Sequence, residues 1–370
     1  TVVGDEAGTA ITTGDYNTAL GYGSLQSTNT GEQNTAVGRL ALRDNTTGTL
    51  NVAMGVNALL VSETGHRNIA IGTQALTANT TADNNTAVGH QALLANIDGT
   101  QNVAVGAEAM KTATSDDGAV VVGYLAGRDM NGATHTTLLG SYAGHKITTG
   151  DKNTYVGTES GPQGAASSGF SNVGLGYVAL AANTTGAYNV ALGAQALNDN
   201  TSGQSNVAVG WNTLSKVSTA NSNTAVGESA LRSATSGANN TAIGQAAMGN
   251  AVVTGAGNTA VGYSAGGAIT SGTQNVAVGQ GALDAATTGS FNTAVGDGAL
   301  GSDTQGGRSV GLGYRALETQ NFTSATEVYN TAIGYAAGNA INTGVQNTLI
   351  GGLCGDALTT GFNNVAVGYF

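Results

Sequence analysis

One five-residue pattern of polar and apolar positions recurs along the chain: Asn, a β-branched residue, a small residue, an aliphatic residue and Gly, as in Asn17-Thr18-Ala19-Leu20-Gly21. Aligned on its closing glycine it occurs 22 times, from Gly4 to Gly368. Of the 21 intervals, 18 are 17 residues long and the others are 19, 18 and 21. A fixed period this short over the whole chain predicts a solenoid of near-identical turns. The residue before the glycine is Val, Leu, Ile or Met in all 22 turns, and two positions earlier it is Thr, Val or Ile in all 22. Alternate strand positions share a face and β-branched residues favour strands. These two columns therefore predict a short strand with the β-branched and aliphatic pair facing inward.

The column between them is Ala in 15 of 22 turns. A half-exposed strand ordinarily carries polar residues on its outer face, so a constant small residue predicts close approach of a second surface. A single narrow coil has no second layer, which makes Ala19, Ala36, Ala53, Ala70, Ala87, Ala104, Ala191, Ala208, Ala225 and Ala242 a candidate interchain face of a homo-oligomer. The alternative is that Ala merely suits a tight bend.

Three residues after the glycine comes a small column, Ala in 17 of 21 turns, and next to it a larger one: Leu in 12 turns, Met in two and Gly in seven. Six of the seven Gly turns place Ile, Met or Leu three residues later, as in Gly144 followed by Ile147. One interior hole is thus filled from either of two backbone positions, as close packing requires; Gly161 is the exception. The far side of each turn tends to read Asn-Thr-Thr-Gly or Ile-Thr-Thr-Gly, and its Gly marks a second corner. The Asn that reopens the pattern is present in 18 of 21 turns: Asn17, Asn34, Asn51, Asn68, Asn85, Asn102, Asn153, Asn172, Asn189, Asn206, Asn223, Asn240, Asn258, Asn275, Asn292, Asn330, Asn347 and Asn364. It gives way only at Ala119, Thr136 and Ser309. Identical Asn side chains stacked at one strand spacing predict a hydrogen-bonded axial ladder.

These columns predict an all-β parallel β-solenoid, a β-roll of about 22 turns with two short extended segments and two glycine corners per turn. A 17-residue turn is too short to hold a helix. At about 4.8 Å per turn the whole would be a rod on the order of 100 Å. Residues 1–370 are expected to form one elongated domain without a separate capping domain. Solenoid ends need protection, so the lack of a polar capping turn predicts a segment of a longer fibre or ends that stack on further copies.

Composition narrows the function. Gly is plentiful at 59 residues, but Pro occurs once and 40% of residues are hydrophobic in register, unlike a disordered linker. With 9% charged residues and a net charge of −11, the surface is unsuited to neutralising phosphates, so nucleic acid is not an expected partner. No apolar run approaches the 18 or so residues of a membrane helix, and membrane insertion by this segment is not expected. The single Cys354 falls in the small Ala column, where a buried hydrophobe is the natural reading. His66, His90, His135 and His145 share no metal-site spacing, and Asp116-Asp117-Gly118 lacks the further oxygens of a calcium loop. No catalytic, metal or cofactor residues are expected, and the chain is not read as an enzyme. Eight aromatics follow the corner glycine, among them Trp211, Tyr263 and Tyr314, and can stack on sugars or cover the corner. Departures from the period, at Pro162 in the 19-residue interval and Phe322 in the 21-residue one, complete the candidate surface contacts.

The Asn-Thr-Ala-Val-Gly stretch with a following Ala-Leu, as at Asn34 to Gly38, Asn240 to Gly244 and Asn292 to Gly296, resembles the head repeats of trimeric autotransporter adhesins and related phage tail-fibre and bacterial surface-fibre repeats. The resemblance covers essentially the whole chain, although the adhesin repeat is usually shorter and lacks the Thr-Thr-Gly segment. It implies three parallel left-handed β-rolls around a common axis. The expected function is a structural and adhesive fibre, extracellular, on a cell surface or on a virion. Its expected partners are itself, as a homotrimer that can extend end to end, and a cell-surface glycan or protein receptor. Two rivals remain. An ice-binding β-solenoid would need a regular exposed Thr row, and the Thr before Ala reads as buried. A polysaccharide-degrading β-helix would need a clustered acid–base set.

Overall fold

A computed structural model describes residues 1–369, and they form an all-β parallel solenoid with the 17-residue period of the sequence and no helix. The chain divides into two compact units, 1–187 and 188–370. In the first, each turn contributes one short strand, from Val2–Val3 and Thr18–Leu20 to Thr154–Val156 and Val173–Leu175. Successive strands pair parallel with like residues in register: Thr18 lies beside Thr35, Ala19 beside Ala36 and Leu20 beside Val37. The second unit repeats this from Val190–Leu192 to Val365–Val367, with Ala191 beside Ala208.

The rest of each turn is also hydrogen-bonded to the next, but not as strand. The Leu42 N–H donates to the Ala58 carbonyl at 2.9 Å, and Leu59 N–H repeats this on Ala75. The sequence suggested two extended segments per turn; one is found in the regular turns. The far segment instead contains left-handed residues, for example Asn57, Leu59 and Arg67 at φ 57°, 51° and 56°, which curl the chain back within 17 residues. Among the described residues three places depart from this. Isolated bridges join Ile147 to Ser167 and Ala234 to Val253, and a second small sheet pairs Gly306–Gly307 with Thr326–Glu327. The corner glycine is required both by its φ, 131° at Gly21, and by crowding: a Cβ there would lie 2.6 Å from the Gly38 carbonyl oxygen.

The strand faces the opposite way from the sequence reading. Ala19, Ala36, Ala53, Ala70, Ala87, Ala104, Ala191, Ala208, Ala225 and Ala242 are all fully buried within the single chain, so they form no interchain face. The β-branched and aliphatic residues on either side are the half-buried or exposed ones. The cause is the thickness of the coil. The Leu column packs across the interior against the inner face of the strand, and the remaining depth admits a methyl group and little more. Where the Leu column is Gly, the strand column can supply bulk: a Cβ at Gly144 would meet Leu138 at 2.8 Å as well as Ile147 at 2.7 Å, whereas at Gly266 it would meet Ile269 and Met248. At Gly161, the exception, the hole is filled by Tyr155, fully buried in the Ala column, and a Cβ there would approach its ring to 2.5 Å. One hole is therefore filled from three backbone positions.

Candidate functional site

The Asn column is buried at every position from Asn17 to Asn347, while Asn364 is exposed. In unit 1–187 the Asn17 side-chain carbonyl accepts the Asn34 N–H at 2.9 Å, and its amide donates to the Gly31 carbonyl at 2.8 Å. Unit 188–370 repeats the geometry, with Asn189 Oδ1 accepting Asn206 N–H and Asn206 Nδ2 reaching the Ala220 carbonyl. Each side chain thus ties two successive turns through backbone groups that would otherwise be buried unpaired. Several also touch directly, as Asn223 Nδ2 does Asn206 Oδ1 at 3.2 Å. From Asn17 to Asn347 a column buried and bonded in this way is closed to a ligand.

The outer strand face is different. Its two columns carry only Thr, Val and Ile, and only Val, Leu, Ile and Met, without one charged residue in 22 turns. They are half-buried or exposed, for example 38% exposed at Ile350 and 48% at Leu139. Leu20 and Leu175 in one unit and Ile243 and Leu312 in the other show the same exposure. A sheet face facing water normally alternates with polar or charged side chains.

Of the candidate surface contacts, Trp211, Tyr263 and Tyr314 are exposed. Tyr314 stacks on Tyr335 with ring centres 5.3 Å apart and planes 14° apart, and Arg315 lies 5.1 Å from its ring. Pro162 and Phe322 are corrections: both turn into the coil and are buried, while residues 164–166 and 323–325 of the same longer turns stay exposed. Phe322 spends its N–H on the buried Asp303 carboxylate.

The sequence reading missed a second cluster in unit 188–370. Phe291, Arg308 and Tyr329 each stand just before the ladder position of successive turns, in left-handed conformation at φ 62°, 64° and 56°. The Arg308 guanidinium lies 4.7 Å from the Phe291 ring centre and 5.8 Å from that of Tyr329. Its Nε donates to Glu327 at 3.1 Å, and the Tyr329 hydroxyl donates to the other Glu327 oxygen at 2.8 Å. The Tyr329 and Arg308 bonds hold the Glu327 carboxyl below its ordinary range, and the Glu327 bond raises the Tyr329 phenol. A cleft of about 230 Å³ lies against this group. The signal was an aromatic–Arg–aromatic series in the column just before the reopening Asn.

Among the described residues no three His, Cys, Asp or Glu side chains come together as a metal site, and no helix is long and apolar enough to cross a membrane. Cys354 is buried. No family model matches the chain, and no curated protein matches it.

Proposed function

We propose that this chain is a structural segment of an extracellular fibre, of the kind found on bacterial surfaces or phage tails, assembled from parallel copies that cover one another's outer strand faces. The observation that carries this is the uncharged apolar strand face, repeated in every turn of a protein whose net charge is −11. Random drift on a solvated face would have admitted Lys or Glu. Apolar area of this kind gains about 25 cal/mol per Å² on burial, and identical repeats offer an identical face to every copy. Three copies is the number suggested by the resemblance to trimeric adhesin heads. The interface moves with the correction above, from the Ala column to the Thr/Val and Val/Leu columns. Sedimentation of the full chain should give three times its 36.2 kDa mass. Val105→Lys combined with Val209→Lys should yield single chains with an unchanged circular dichroism spectrum. A native chain that sediments as a monomer at micromolar concentration overturns the reading.

A second reading is favoured by one observation. The Thr column, expected to be buried, lies outward and half-exposed at Thr35, Thr86, Thr224 and Thr293. Its turn-by-turn spacing, interleaved with Val, would suit ordered water, as in an ice-binding solenoid. Thermal hysteresis that persists in the native chain and vanishes in the Lys variant would favour it.

A further inference from the structure

The cleft beside Arg308 differs from every other part of the surface in how its chemistry is assembled. Among the described residues the far segment pairs as strand with strand only here, Gly306–Gly307 against Thr326–Glu327. That pairing fixes the backbone of Glu327 beside Arg308, and the two side chains meet across 19 residues of sequence. The lining of the cleft is apolar at Phe291 and Ala325 and polar at Thr288, Ser290, Gln305 and Thr326. The same column elsewhere in the sequence holds no aromatic–Arg–aromatic series: Tyr16 is followed one turn later by Gln33, and Tyr188 by Ser205.

We propose that this cleft binds a single neutral sugar ring of a longer glycan. A sugar presents an apolar C–H face, which packs on an aromatic ring, and an edge of adjacent hydroxyls, which pairs with a carboxylate that accepts and a guanidinium that donates. Phe291 supplies the first, and the Glu327–Arg308 pair supplies the second. The two charged groups are already aligned by each other and by Tyr329, so little ordering is left for the ligand to impose. The cleft is smaller than the roughly 300 Å³ at which pockets for drug-sized ligands begin, which limits it to one ring. An acidic sugar is disfavoured because the lining already contains a carboxylate and the chain carries −11. All of the residues that line the site belong to one chain.

The test is saturation-transfer NMR and titration calorimetry of the full chain against methyl glycosides and short oligomers of glucose, galactose, mannose and N-acetylglucosamine, with glucuronic acid as the acidic comparison. At least one neutral sugar should bind. Phe291→Ala and Glu327→Gln should each weaken that sugar ten-fold or more, while Tyr22→Ala, an exposed aromatic of unit 1–187, leaves the affinity unchanged. Circular dichroism confirms that each variant is folded. Binding to none of the neutral sugars overturns the inference, as does binding of the glucuronide alone or binding that survives both cleft substitutions. Sedimentation of the same samples reports assembly independently, so failure of the fibre reading and failure of the sugar site give different results.

Discussion

In the turn between Gly106 and Gly123 the ladder position holds Ala119, and a carboxylate, Asp116, is fully buried three residues before it. In the turn between Gly296 and Gly313 the ladder position holds Ser309, and the buried carboxylate is Asp303. Asp116 accepts the Gly132 and Ala133 N–H groups on Oδ1, and its Oδ2 has no partner. Asp303 is served on both oxygens: Gly306 and Phe322 N–H on Oδ1, and Gln320 Nε2 on Oδ2 at 2.6 Å. Gln320 occupies an interior position that other turns give to Asn45 or Asn79, and its extra methylene lets it reach the ladder line. There it also donates to Ser309 Oγ and accepts from Asn330 Nδ2. One break in the ladder is therefore closed by a connected polar network, and the other leaves a charge half satisfied. A buried network is favourable only when each member is paired.

The largest expected effect comes from dismantling the closed network. Gln320→Ala removes the partner of Asp303 Oδ2 and of Asn330 in one step, and should lower the stability of the chain by about 3 kcal/mol. The denaturant midpoint measures this. A loss under about 1 kcal/mol would mean that Gln320 only fills space and that the two breaks are energetically alike.

Next comes the half-satisfied carboxylate. Burial pushes Asp116 from 3.8 up to about 6, with the Gly132 and Ala133 N–H groups opposing. Because the folded value is the higher one, the protonated form is favoured by folding. The stability this group contributes is fully present below pH 4 and is lost as the pH rises through about 6. Asp116→Asn should therefore stabilise the chain by about 2 kcal/mol at pH 8 and change little at pH 3.5. Paired denaturation curves at the two pH values check the sign. Equal effects at both would show that the carboxylate is not the strained element of this turn.

The two breaks also separate what a sequence reading can and cannot reach. The period, the parallel stack and the corner glycines were legible because each repeats in every turn and has one physical cause. Which strand face looks inward was not. Alternation in a three-residue strand such as Thr35-Ala36-Val37 defines two faces, and the larger β-branched pair invites the wrong choice. Only the depth of the coil, set by the Leu column opposite, decides for Ala. Asp303 and Gln320 lie 17 residues apart in one column, so their meeting could be counted out. The Phe291–Arg308–Tyr329 series could be counted as well. The cleft beside it depends on how the four extra residues before Asn330 fold, and the period is silent there.

The smallest effect is the sharpest comparison, because the same substitution is made at both breaks. Every regular ladder Asn donates to the carbonyl 14 residues on and accepts the N–H 17 residues on. In unit 1–187 an Asn at position 119 would find the Ala133 carbonyl and the Thr136 N–H at those distances along the chain. Thr136 meanwhile spends its hydroxyl on the Thr134 carbonyl of its own turn. Ala119→Asn should stabilise by about 1 kcal/mol, the net value of a buried hydrogen bond. In unit 188–370 the same ladder space is already taken by the Gln320 amide, which contacts Ser309 at 3.2 Å. Ser309→Asn should therefore crowd Gln320 off Asp303 and destabilise by about 1 kcal/mol. Opposite signs from one chemical change would establish that the second break is filled and the first is vacant. Equal signs would mean that the ladder tolerates its gaps without any replacement, and Gln320 would lose its special standing.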